Sequence, residues 1–257
     1  MLTAGRPGAG AGTPDPPFSG LTLQNCGGSG GAGLDIIGPS SNGATHWNGV
    51  PFWIQGNINI PASGRVDAAN TTLFFAPNQG GIDVNGTLNL GGPGAPVLLR
   101  SGDLSTNPIP WKGIGYIGTS RGIINNATFR DLTDYYGPLG FYSNGPVTII
   151  NSTMTNSFGG GLVIGGTSAP QFINLTMNAS YFRIIGNSKP VFNGGVWDGG
   201  GFKPHIAVLD YATGTPDPTF NGVTVQNCTQ NAVGVYGNVN GTTHWAGIPF
   251  SFEYSVT

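Results

Sequence analysis

The residues of this chain that could act together chemically fall mostly between positions 130 and 211. There the sequence gathers Arg130, Asp131, Asp134, Tyr135, Tyr136, Tyr142, Arg183, Trp197, Asp198, Lys203, His205, Asp210 and Tyr211. Aromatic rings beside carboxylates suit a sugar, whose ring has an apolar face and a rim of hydroxyls. Two carboxyl groups facing across a glycosidic bond would go further and cleave it. The single Glu is Glu253, so such a pair has to be built from aspartates, with Asp131, Asp134, Asp198 and Asp210 as candidates. The residues taken forward as a glycan-binding patch are Arg130, Asp134, Tyr135, Tyr136, Trp197, Asp198, Asp210 and Tyr211. The plain alternative stands beside it: Trp197 is core and the aspartates end turns. No residue is assigned a catalytic role, and no cofactor is implied.

Two further patterns carry possible chemistry. His46-Trp47 recurs as His244-Trp245, but no second His or Cys sits at metal-ligand spacing, so the pair reads as a repeated corner that packs a Trp. Asn-x-Ser/Thr sequons stand at Asn70, Asn85, Asn126, Asn151, Asn174, Asn178, Asn227 and Asn240. They are glycosylation acceptors where the host has the pathway, although a chain rich in these residue types produces many by composition alone.

The elements that position these residues repeat. The stretch Thr13 to Cys26 returns as Thr215 to Cys228, 202 residues later, and Thr45 to Phe52 returns as Thr243 to Phe250. The chain therefore reads as a Gly/Ala-rich lead-in (1–12), one complete unit (13–214) and the start of a second, similar unit (215–257). Cys26 and Cys228 occupy the same point of two units. If the units are coils of one solenoid, they lie too far apart to bridge.

A shorter period sits inside the unit. Pro146, Pro170, Pro190 and Pro218 are 24, 20 and 28 residues apart, and each opens a similar phrase. Aligning the phrases on Asn126, Asn151, Asn174, Gly194 and Gly222 produces columns. Phe129, Met154, Met177, Trp197 and Val225 form an apolar column, expected to point inward. Thr128, Thr153, Thr176, Val196 and Thr224 form a β-branched column, expected to point outward. Arg130, Thr155, Asn178, Asp198 and Gln226 form a second outward column, with Arg130 and Asp198 three coils apart. Asp131, Asn156, Ala179, Gly199 and Asn227 close the phrase, where Asn and Gly suit a left-handed turn. Between residues 47 and 101 the strands Phe52–Ile54, Ile58–Ile60, Thr72–Phe75, Gly81–Leu88 and Val97–Leu99 are expected.

Composition agrees with a packed, uncharged solenoid. Only 8% of the 257 residues are charged and the net charge is −2, which favours neither nucleic acid nor an anionic membrane. Hydrophobic residues make up 38%, enough for a core. There are 46 glycines and 20 prolines without a collagen period, and they interrupt every helical window. No apolar run suits a signal peptide or a membrane span, so no membrane insertion is expected.

The phrases Ile58-Asn59-Ile60-Pro61-Ala62-Ser63-Gly64, Gly81 to Leu88 and Trp111-Lys112-Gly113-Ile114 resemble those of right-handed parallel β-helix repeat proteins of pectate-lyase-like architecture. The resemblance implies an all-β, right-handed parallel β-helix (β-solenoid), here of roughly nine or ten coils. Hydrolases of that architecture carry Asn-Thr-Asp, Asp-Asp and Gly-His-Gly strings, and none occurs here. The expected role is a non-enzymatic extracellular structural or adhesive segment that meets copies of itself head to tail. The alternative is a carbohydrate-binding or polysaccharide-cleaving β-helix, with surface polysaccharide as the partner.

Overall fold

The computed structural model describes residues 34–36, 43–132, 139–157, 161–201, 205 and 207–252. They form a parallel β-solenoid with three faces. Each coil contributes one short strand to each face, so the chain visits sheet 1, sheet 2 and sheet 3 in turn. The coil from Val147 shows the pattern: Val147–Ile150 in sheet 1, Thr153–Thr155 in sheet 2 and Leu162–Ile164 in sheet 3. Sheets 2 and 3 have nine described strands each and sheet 1 has eight. Every strand pairing is parallel; for example, Val147–Ile150 lies between Gly122–Asn125 and Gln171–Ile173. The only helical piece among the described residues is a single 3-10 turn at Tyr211–Thr213.

The solenoid makes about seven turns, the steps between the eight strands of sheet 1, rather than nine or ten. The difference has a physical cause. Some coils spend residues on loops that add no strand. The step from Thr87–Gly91 to Gly122–Asn125 in sheet 1 contains the long run 102–113 over the corner between sheets 2 and 3.

The inward columns are realised. Phe129 pairs with Met154, Met154 with Met177, Met177 with Trp197 and Trp197 with Val225 along sheet 2. The first four are fully buried, and Val225, on the last strand of the sheet, is half-buried. Inside sheet 1, Phe172, Phe192 and Phe220 stack at 4.6 Å and 5.3 Å, each pair tilted by 11°. Sheet 3 contributes Ile164, Ile184, Leu209 and Val235. Removing such a side chain from water contributes roughly 1.5–3 kcal/mol.

Each Pro-led phrase turns out to hold two strands. The alignment residues Asn126, Asn151, Asn174, Gly194 and Gly222 all have positive φ and form the corner from sheet 1 to sheet 2. The expected left-handed turn at the phrase end is present at Asp131, Asn156, Ala179 and Asn227, at the corner from sheet 2 to sheet 3. Corner amides bond along the axis: Asn174 donates to Asn151 Oδ1 at 3.1 Å, and Asn221 donates to Asn193 Oδ1 at 2.8 Å. The strand expected over Gly81–Leu88 is split. Gly81–Val84 belongs to sheet 3 and Thr87–Gly91 to sheet 1, with Gly86 between them. A β-carbon on Gly86 would lie 2.2 Å from the Pro61 carbonyl oxygen, so only glycine lets this corner stack so closely.

Candidate functional site

Among the described residues, the charged and aromatic residues grouped by the sequence are spread over the interior and two different faces. Trp197 lies in the core, edge-on to Phe182 at 4.9 Å and to Phe192 at 5.0 Å. Tyr211 is also buried; its hydroxyl lies 3.1 Å from the Pro216 carbonyl oxygen and accepts from Trp245 Nε1 at 2.8 Å. Neither ring presents a surface to a glycan, which corrects that part of the sequence reading. Trp197 alternates inward on a pleated strand and Tyr211 opens the 3-10 turn that follows one, and in both places the apolar ring wins over solvent exposure.

Arg130 and Asp198 do point outward from sheet 2, in one column and three strand steps apart, as their spacing predicts. One residue beyond the Phe129–Leu99 pair, the line runs the other way through Arg100, Phe74 and Trp53. Asp198 accepts hydrogen bonds from Gln226 Nε2 at 3.0 Å, the Gly200 amide at 2.8 Å and Asn227 Nδ2 at 2.6 Å. These donors, Gln226 first, hold its carboxyl below the usual range. Asp198 thus closes a turn, the alternative that the sequence left open. Asp210 ends a sheet 3 strand, accepting from Arg183 Nη2 at 2.8 Å and from the Ala212 amide at 3.0 Å. Asp131 occupies a sheet 2–3 corner, with both carboxylate oxygens buried and without a hydrogen-bond partner. Asp134, Tyr135 and Tyr136 lie outside the described residues. Among the described candidates, Asp131, Asp198 and Asp210 do not meet on one face, and no glycosidase-like pair is formed there.

The recurring His-Trp corner is structural in both copies. Trp47 is buried and lies 6.1 Å from Phe52 at 35°; Trp245 lies 6.1 Å from Phe250 at 31°. His46 Nε2 is 3.6 Å from Asp67, and His244 Nδ1 is 3.3 Å from Asp217. No group of three or more His, Cys, Asp or Glu suited to a metal ion occurs among the described residues. No described helix is long and apolar enough to cross a membrane. Cys228 is a half-buried free thiol whose pKa burial pushes up; Cys26 lies outside the described residues.

Of the sequons, Asn70, Asn126, Asn151, Asn174 and Asn227 stand at left-handed corners. Asn85 bonds its amide to Asn59 Oδ1 at 3.1 Å, Asn178 ends a sheet 2 strand, and Asn240 is exposed. A sugar on Asn174 would replace the amide bond that joins it to Asn151.

One surface grouping escapes a reading by column. Tyr142, Arg183 and Asp210 all project from sheet 3, beside glycines at Gly115, Gly140 and Gly165. Glycine at an outward strand position is the available signal, since it marks a place where something lies close to the sheet.

No family model, no curated protein and no solved structure matches this chain.

Proposed function

We propose that this chain is a non-enzymatic, extracellular structural or adhesive β-solenoid segment that stacks head to tail on copies of itself, as tandem units or as filament subunits. The observation that carries this reading is the register of the opening of the second copy. The segment that repeats Thr13 to Cys26 forms a full-fledged coil, not an appendage. Thr219–Asn221 continues sheet 1 and Thr224–Gln226 continues sheet 2, each in parallel register with the coil before. Phe220 extends the Phe172–Phe192 stack without a break. The opening sequence of a unit is therefore compatible with the surface that ends a unit. Solenoid coils contact only their neighbours, so a unit that fits its own end can repeat. The contact is heterologous and grows lengthwise unless rotation closes a ring.

Light scattering across concentration, with electron micrographs, tests this. Particles that lengthen along one axis are expected. A monodisperse monomer at high concentration, from a gene with no further unit, rules out both the tandem and the filament version.

The non-enzymatic part of the proposal draws on the same carboxylates. Asp198 and Asp210 are engaged by neighbouring donors and serve turns. A polysaccharide-degradation screen is expected to show no release of reducing or unsaturated ends. Release abolished by Asp198→Ala would turn the reading towards an enzyme.

A further inference from the structure

The outer face of sheet 3 carries an aromatic ring in an unusual posture. Tyr142 is 42% exposed. A β-carbon built on Gly165 would lie 2.6 Å from its Cε1 and 2.9 Å from its Cδ1, while one on Gly140 would lie 3.1 Å from its Cε2 and 3.6 Å from its Cδ2. Opposite edges of the ring thus rest over two different glycines. The ring lies flat on the sheet, one face down on bare backbone and the other towards solvent. Any larger residue at Gly165 would lift it.

The surroundings extend this platform along the solenoid axis. In the neighbouring column Asp83 pairs with Gly115, Gly115 with Gly140, Gly140 with Val163 and Val163 with Arg183. That is four strand steps, about 19 Å at the usual parallel spacing. Gly115 leaves open space: a β-carbon there would meet only Asp83 Oδ1, at 3.7 Å. Asp83, hydrogen-bonded by Asn57, stands at one end, and Arg183, paired with Asp210 at 2.8 Å, stands at the other. The result is a shallow trough with a flat aromatic floor, an acceptor at one end and a guanidinium at the other.

We infer that this trough binds a neutral polysaccharide, with one sugar ring stacked on the exposed face of Tyr142. A flat aromatic face offers apolar contact to the C–H face of a pyranose. The guanidinium donates to hydroxyls and the Asp83 carboxylate accepts from them. The charge pattern selects a neutral chain: Arg183 is already answered by Asp210, and Asp83 repels an anionic polymer. The inference does not depend on head-to-tail stacking, because the trough lies on the side of the solenoid and within one unit.

The test is calorimetric titration of dilute protein with cellohexaose, mannohexaose and laminarihexaose, with alginate as the polyanionic control. Binding of at least one neutral hexaose is expected. Tyr142→Ala should weaken it about tenfold or more, whereas Tyr142→Phe, which keeps the ring face, should stay within about twofold. Gly115→Gln provides a second route. Its backbone needs no positive φ and its β-carbon has room, so it should fold normally and fill the trough, with a comparable loss. Melting curves of each variant report folding separately from binding. The inference is overturned if no neutral hexaose binds, if natively folded Tyr142→Ala and Gly115→Gln bind as well as the parent, or if alginate binds more tightly. Particle size measured in the same samples reports stacking independently.

Discussion

Asp131 brings a carboxylate into the corner between sheets 2 and 3, where its nearest cation is Arg100 Nε at 4.0 Å. Burial pushes its pKa up, and the charges of Arg100 and Arg130 only partly oppose this. The folded state therefore holds the Asp131 proton more tightly than the unfolded chain does. Its contribution to stability is fully present below the unfolded value of about 3.9 and is lost as pH rises through the folded value. Asp131→Asn removes that loss. The backbone accepts the change, since Asn156 and Asn227 hold the equivalent corners at φ 54°, close to the 63° of Asp131. Thermal melts should show the variant more stable than the parent at pH 7, with the gain shrinking as the pH falls towards 3.5. A gain that persists or grows in acid would refute this account of the site.

The corners are the elements that make one coil stack on the next. Most corner residues with positive φ are Asn, Asp or Gly, which reach the left-handed region at low cost. Ala179 is the exception, held at φ 47°. Ala179→Asn is expected to stabilise the protein by about 0.5–1 kcal/mol, read as a higher midpoint in denaturant titration with an unchanged slope. No shift, or a loss, would show that the corner geometry does not depend on residue type. The Trp–Phe corner behaves as an element in its own right. Its Trp–Phe ring pair is alike in both copies, 6.1 Å at 35° and 6.1 Å at 31°, yet Phe52–Ile54 pairs with Leu34–Ile36 in sheet 2 while Phe250–Phe252 pairs with Val233–Tyr236 in sheet 3. The local module travels as a unit, and its sheet is chosen by the coil on which it rests.

At the scale of the molecule, the two cysteines report on the architecture. Cys26 and Cys228 stand at the same point of the 202-residue sequence repeat, and coils of one solenoid that far apart in the chain would be separated by several strand spacings of about 4.8 Å. A disulfide needs Cα atoms within about 7 Å. No intramolecular bridge is expected. Mass spectrometry of unreduced monomer decides the matter: a mass two hydrogens below that of the reduced protein would refute it. Circular dichroism should show almost no helix, in keeping with the single short turn at Tyr211–Thr213.

Sequence alone carried the solenoid, the inward column of Phe129, Met154, Met177 and Trp197, and the outward line from Arg130 to Asp198. It could do so because alternation on a pleated strand is local, and parallel stacking repeats it without offset. It hid sheet 3. The chain between sheets 2 and 3 varies in length from coil to coil, so Leu162–Ile164 starts 16 residues after Pro146 but Phe182–Ile185 only 12 after Pro170, even though each stands 8 residues before the next Pro. The same variable loops made the charged and aromatic residues look like one cluster. Only the tertiary structure decided that Trp197 and Tyr211 face the core, that Asp198 and Asp210 belong to different sheets, and that Tyr142 lies flat over Gly140 and Gly165. Those outcomes depend on which strand lies beside which, and the coil lengths settle that only once every sheet is in register.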